Sequence, residues 1–311
     1  MHILVSMPSH QGDKARDWAQ ALQHRLPTAQ IAIDTGAPVD QTVDYLVTWQ
    51  PRAGLLAQVP NARAIFTASA GVDALMNDPT LPHCPVVRLC DAGMGDQMAS
   101  FALYAAFHYW RGFDRMRVAQ NRASWSPDTG AVAPRPSVGV LGLGALGQVT
   151  ARALREAGFP VSGWSRRKRD IDGVSTYAGS AEFEEFLAQT NLLICLLPLT
   201  PDTHHLLDHA RFAAMPREAV VVNLARGDIL VEGGLLAALD NGHLRGAMLD
   251  VFATEPLAED HPFWAHEKVV VTPHIAAETL VEPGADQISD NINRIERGDK
   301  PLGAVDRDAG Y

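Results

Sequence analysis

Three segments in the last third of the chain carry side chains suited to proton transfer on a small anion. They are Asn223-Leu224-Ala225-Arg226-Gly227-Asp228, Asp250-Val251-Phe252-Ala253-Thr254-Glu255-Pro256-Leu257 and Thr272-Pro273-His274-Ile275-Ala276-Ala277. A histidine with a carboxylate partner is a tunable proton donor, and an arginine holds a carboxylate substrate in a fixed orientation. Each segment closes or follows an apolar run that reads as a strand, at 219–224, 246–250 and 268–272. The carboxyl ends of parallel strands face one crevice, so Arg226, Asp250, Glu255 and His274 can converge from distant positions. Taken singly, each has an ordinary structural use: Arg226 in a surface turn, Glu255 at a helix start, His274 as one of 12 histidines.

Upstream, Val138-Gly139-Val140-Leu141 reads as a short strand that runs into Gly142-Leu143-Gly144-Ala145-Leu146-Gly147. This G-x-G-x-x-G is followed by a helix with Val149, Ala153 and Leu154 on one face and by another strand at 160–164. In that setting the glycines serve a tight turn, close approach to a pyrophosphate and close helix–strand packing, with the anion at the helix N-terminus. A dinucleotide cofactor is expected on Gly142, Gly144, Ala145, Leu146 and Gly147. A glycine-rich turn is the plainer use of the same pattern.

The end of the second strand sets the cofactor type. An NAD site places Asp or Glu there, whereas this chain has Gly163-Trp164-Ser165-Arg166-Arg167-Lys168-Arg169. Guanidinium groups match a phosphate bidentately, so Ser165, Arg166 and Arg167 favour NADP(H) over NAD(H). Asp170 or Asp172 supplies the missing acid only if the strand ends later.

Positioning these residues requires α/β architecture. Apolar strands are expected at 2–7, 30–33, 43–48, 63–67 and 86–89, with a helix carrying Ala15, Trp18, Ala19, Leu22 and Leu26. One long amphipathic run, Gln97 to about Gln120, could bridge two domains; Ser126–Gly130 with Pro134 and Pro136 reads as a loop. A second strand–helix series starts at Val138, adds a strand at 191–196, and ends with a helix near 285–297. The expected fold is two Rossmann-like or flavodoxin-like domains with parallel sheets. The cofactor domain, 97–280, is inserted into a substrate domain made of 1–96 and 281–311.

Composition bounds the partners. At roughly 150 residues per domain, 311 residues fit about two. A net charge of −10 argues against nucleic acid or anionic lipid as the main partner, apart from the local cluster at Arg166–Arg169. Cys84, Cys90 and Cys195 form no disulfide framework, which fits the cytoplasm. Met1–Met7 is too short and uncharged for a signal peptide, and no apolar stretch reaches the roughly 20 residues that span a bilayer. His204, His205 and His209 cluster, with His205 and His209 at helical spacing, but no zinc-protease motif surrounds them and no metal is expected. His261 and His266 are expected to pack a loop, and Cys195 to be an inert core thiol.

N-L-A-R-G-D, D-V-F-x-x-E-P-L and T-P-H-I-A-A, downstream of G-L-G-x-L-G, closely resemble the D-2-hydroxyacid dehydrogenase family. Trp164-Ser165-Arg166-Arg167, the G-M-G-D-Q-M segment at 93–98 and the A-V-D-R-x-x-G-Y ending look like its glyoxylate/hydroxypyruvate reductase A branch. The resemblance spans nearly the whole chain. It implies that His274 is the acid/base, Glu255 its partner and Arg226 the substrate anchor. It also implies that Asp250 faces the nicotinamide, and that Leu197, Pro198, Leu224, Ala225 and Ala276, with His274, line the cofactor. The backbone of Ala70-Gly71-Val72 holds the substrate carboxylate, and Trp49 lines the pocket, by the same resemblance. The implied reaction is NADPH-dependent reduction of a small 2-oxo acid by a cytoplasmic homodimer. A larger or phosphorylated substrate, or a nucleotide-sensing corepressor-like role without catalysis, are the alternatives. One departure is Met98-Ala99-Ser100, where many members have V-A-E.

Overall fold

The structure is a computed structural model that describes residues 1–8, 13–39, 42–125, 134–307 and 309–310. The chain divides into two compact units, Met1–Met94 with Glu278–Tyr311, and Gly95–Ala277.

The first unit is built on five parallel strands: β1 (His2–Ser6), β2 (Gln30–Ile33), β3 (Tyr45–Thr48), β4 (Ala64–Thr67) and β5 (Val86–Arg88). Their order is β2-β1-β3-β4-β5, the flavodoxin-like arrangement. β3 and β4 are buried at every position, as strands covered on both faces must be. Helix α1 (Lys14–Arg25) buries Trp18, Ala21 and Leu22, and a one-turn helix α2 (Asp73–Met76) follows β4. The unit is completed by the last helix of the chain, which packs on α1 with Arg25 bonded to Glu282 and Asp286.

The second unit opens with α3 (Met94–Trp110) and α4 (Phe113–Asn121). These replace the single long helix expected over 97–120. The chain breaks at Gly112, whose φ of 71° lies in the left-handed region and cannot continue a helix. Beyond the break, Asp114 accepts two hydrogen bonds from Arg245 at 2.8 and 2.6 Å, which fixes α4 to the sheet. In α3, Ser100 donates to the Asp96 carbonyl of its own helix at 2.7 Å. The loop expected at Ser126–Gly130 lies outside the described residues.

The sheet of this unit comprises β6 (Val138–Leu141), β7 (Val161–Ser165), β8 (Ser175–Ala178), β9 (Leu192–Cys195), β10 (Ala219–Asn223), β11 (Leu244–Leu249) and β12 (Val269–Val271). All pairings are parallel and the order is β12-β11-β10-β9-β6-β7-β8. Helices α5 (Ala145–Glu156), α6 (Phe183–Ala188), α7 (His209–Ala214) and α8 (Glu232–Asp240) connect the strands. The edge strand β8 escapes sequence reading because Ser175-Thr176-Tyr177-Ala178 is short, mostly polar and nowhere fully buried. The chain then leaves for α9 (Val281–Glu296), which begins four residues earlier than expected. Pro283 falls in the first turn, where a helix needs no N–H from it, so it does not delay the start. Among the described residues no helix is long and apolar enough to cross a membrane.

Candidate active site

In the second unit the sheet order reverses direction between β6 and β9, so their carboxyl ends open a crevice at the switch point. The glycine turn lies there. Gly142 adopts φ of 111°, and a Cβ on it would stand 2.7 Å from the Leu196 carbonyl oxygen. A Cβ on Gly147 would stand 1.8 Å from the Gly142 carbonyl oxygen, so α5 can start only with glycine at that point. Gly144 differs: a Cβ would meet nothing within 4 Å, and the residue opens α5 with extended backbone. Two glycines let the backbone fold onto itself, and the third leaves the helix start open. A pyrophosphate fits such a cradle.

Strand β7 ends at Ser165, whose hydroxyl donates to the Arg167 carbonyl at 2.7 Å. Arg166 and Arg167 follow directly and are exposed. Asp170 and Asp172 therefore lie beyond the strand end, and Asp172 pairs with Arg155 at 2.7 Å. Neither supplies the carboxylate of an NAD site. Lys168 turns to Glu182 at 3.2 Å.

The three chemistry-bearing segments follow β10, β11 and β12. After β10, the Asn223 amide donates to the Arg226 carbonyl at 2.9 Å and its oxygen accepts from Ala225 N–H at 3.2 Å, so a buried side chain shapes the turn. Arg226 Nη1 donates to the Ala225 carbonyl at 2.7 Å. The next residue is glycine for want of room: a Cβ on Gly227 would stand 1.9 Å from the Phe252 carbonyl carbon. The Arg226 turn is thereby pressed against the segment after β11. There Glu255 accepts the Phe252 N–H at 3.0 Å with Oε1 and faces His274 Nδ1 at 2.7 Å with Oε2.

Partial burial pushes the Glu255 carboxyl up, but the hydrogen bonds from His274 and Phe252 and the charge of Arg226 outweigh it and hold the group below its usual value. An ionised carboxylate only accepts. Nδ1 of His274 is therefore the donor in this pair, and Nε2 is the nitrogen left for exchange with a ligand. His274 itself has φ of 55°, rare for a residue with a side chain. Asp250 imposes that turn. Its carbonyl accepts His274 N–H at 2.8 Å, and its buried carboxylate accepts Thr272 Oγ1 at 2.6 Å, Ile275 N–H at 2.9 Å and Ala276 N–H at 2.8 Å.

Arg226, Asp250, Glu255 and His274 are thus brought together at one edge of one sheet. Leu197, Leu224, Ala225 and Ala276 are buried just past the ends of β9, β10 and β12, and Pro198 is half-buried. In the first unit, Trp49 is half-buried at the end of β3. Ala70-Gly71-Val72 links β4 to α2, with the Gly71 carbonyl accepting from Ser69 and Thr67. Sequence reading missed Asn223, Gly227 and Thr272 as supports of the site, although all three stand inside the motifs it used. Cys195 is wholly buried, which pushes its thiol up to about 12 and removes it as a nucleophile. His261 and His266 contact Glu232 and Asp240 at 3.3 Å.

A family profile described as "D-isomer specific 2-hydroxyacid dehydrogenase, NAD binding domain" matches residues 103–276. The chain is 41% identical over 304 residues to glyoxylate/hydroxypyruvate reductase A of Yersinia enterocolitica, covering 96% of this chain and 97% of the relative. It is 42% identical to the protein of the same name from Serratia proteamaculans, again over 304 residues and 96% of each chain. Among solved structures, a D-isomer specific 2-hydroxyacid dehydrogenase from Xanthobacter autotrophicus Py2, in complex with NADPH and MES, superposes with a TM-score of 0.94 at 39% identity over 99% of both chains. An NADPH-dependent glyoxylate/hydroxypyruvate reductase from Sinorhizobium meliloti, in complex with NADP and sulfate, gives 0.92 at 34% identity over 100% of this chain and 99% of that one.

Proposed function

The chain belongs to the D-isomer specific 2-hydroxyacid dehydrogenase family, and from that premise we propose that it reduces glyoxylate and hydroxypyruvate with NADPH. The products are glycolate and D-glycerate. The observation that carries the reading is the 2.7 Å contact of His274 with an ionised Glu255 that also feels the charge of Arg226.

The cofactor, when bound, supplies the hydride for the carbonyl carbon. Gly142, Gly144, Ala145, Leu146 and Gly147 hold its pyrophosphate, and Ser165, Arg166 and Arg167 its 2′-phosphate. Leu197, Pro198, Leu224, Ala225, Asp250 and Ala276 line its nicotinamide end. His274 donates a proton from Nε2 to the carbonyl oxygen as negative charge grows there. Glu255 accepts the hydrogen bond from Nδ1 of His274 and so fixes which ring nitrogen faces the substrate. Arg226 binds the substrate carboxylate and places positive charge where the oxyanion develops. Asp250 keeps the His274 turn in its strained conformation, so the ring is aimed before substrate arrives. By the family resemblance, Trp49 and the backbone of Ala70-Gly71-Val72 are further residues assigned to substrate binding.

We further place the enzyme in the cytoplasm as a homodimer. Free Cys84, Cys90 and Cys195 support a reducing compartment, and exposed Tyr104, Phe113 and Met116 on α3 and α4 support self-association. Cofactor oxidation on adding glyoxylate or hydroxypyruvate, run with NADPH and with NADH over a panel of 2-oxo acids, tests the activity. Tight NADPH binding with no turnover of any 2-oxo acid would replace it with a sensing role. Preference for a larger or phosphorylated acid would change the substrate.

A further inference from the structure

The loop from β9 to α7 is joined by backbone hydrogen bonds to the turn that follows Arg226. His205 N–H donates to the Asp228 carbonyl at 2.7 Å, Leu207 N–H to Ile229 at 3.0 Å, and Val231 N–H back to Leu207 at 3.0 Å. Within the loop, the Thr203 hydroxyl donates to the Pro198 carbonyl at 2.7 Å, and His204 N–H to Thr200 at 2.9 Å. The two segments are therefore fixed against each other without any ligand between them.

This framework gathers three metal-ligating side chains. Neighbouring residues of an extended chain project to opposite sides. His205 instead has φ of 54°, and its ring faces that of His204 with centroids 3.8 Å and planes 30° apart. Asp228 reaches the same spot from the other segment: one ligand atom each of His204, His205 and Asp228 lies within 4.8 Å of the other two. Both histidines are exposed and Asp228 is half-buried, so the cluster opens to solvent and an ion can reach it. Two imidazole nitrogens and a carboxylate oxygen suit a borderline dication, with water in the fourth position. Helical spacing pairs His205 with His209 and leads to no site; the tertiary structure replaces His209 with Asp228.

We propose that His204, His205 and Asp228 bind Zn²⁺ and clamp the β9–α7 loop to the segment following Arg226. The site lies outside the reductase machinery, and the proposal stands whether or not that reading holds. Because the ion binds two segments of the folded chain at once, it stabilises the native state by mass action.

The test uses the full chain, freed of metal by a chelator and titrated with ZnCl₂ in a calorimeter. One equivalent should bind per chain, with a rise in the thermal midpoint, and Co²⁺ in its place should give the visible absorption of a site with few ligands. His204→Ala and His205→Ala should each weaken Zn²⁺ binding by about tenfold or more and abolish the shift in midpoint. The double variant should keep the fold, by circular dichroism, and the NADPH turnover of the metal-free parent. No stoichiometric binding by the parent, or equal affinity in the double variant, would overturn the proposal.

Discussion

The buried carboxylate of Asp250 accepts the N–H of Ala276 at 2.8 Å, two residues beyond His274. With Thr272 and Ile275 on its other oxygen, it ties down the turn on both sides of the proposed proton donor. An amide in its place keeps one acceptor oxygen and points an N–H₂ at former donors. Asp250→Asn should therefore lower kcat by about tenfold to a hundredfold, since removing a hydrogen bond to a charged group costs about 1.5–3 kcal/mol. Steady-state kinetics beside a thermal melt separate lost positioning from lost folding. A variant with parental kcat would mean the turn holds without this carboxylate.

If His274 is the proton donor, reduction needs its charged form and oxidation its neutral form. The rate of 2-oxo acid reduction should fall toward high pH, and that of 2-hydroxy acid oxidation toward low pH. His274→Ala should lose about 10²- to 10⁴-fold in kcat in both directions. Matching pH optima for the two directions would remove the assignment.

Glu255 has its carboxyl held below the usual value, so its folded form binds the proton less readily than the unfolded chain does. The sign follows: its contribution to stability is complete above the unfolded value and is lost as pH falls through the lower folded one. The thermal midpoint of the parent should exceed that of Glu255→Gln at neutral pH, and the gap should close in acid. A gap independent of pH would show that ionisation of Glu255 contributes nothing.

Replacing Arg166 and Arg167 together by alanine should raise KM for NADPH by about tenfold to a hundredfold and leave KM for NADH nearly unchanged, because only the former carries a 2′-phosphate. Equal losses with both cofactors would place these arginines elsewhere than on that phosphate.

Gly227→Ala should destabilise the protein by about 1–3 kcal/mol or more, as overpacking does. The added methyl meets the backbone of Phe252 and Ala253, which cannot move without shifting the Glu255 segment. A denaturant melt measures the loss, and a lower kcat should accompany it. An unchanged midpoint would show that the two loops separate freely.

The strand–turn–helix around Gly142–Gly147, the missing carboxylate after Ser165 and the placement of Arg226, Glu255 and His274 past strand ends are legible in the order of residues. These features are local: the shape of a glycine turn and the end of an apolar run depend on residues a few positions apart. How those ends meet is set by the folded sheet. The Glu255 oxygen that faces His274, the support of its turn by Asp250, and the loss of room at Gly227 all come from pairing β10, β11 and β12 side by side. The same cause explains what sequence reading missed. β8 owes its place to its ladder with β7, the break at Gly112 opens a helical run that periodicity alone would continue, and Asp228 reaches His204 and His205 because parallel pairing of Leu207 with Leu230 brings two distant segments together.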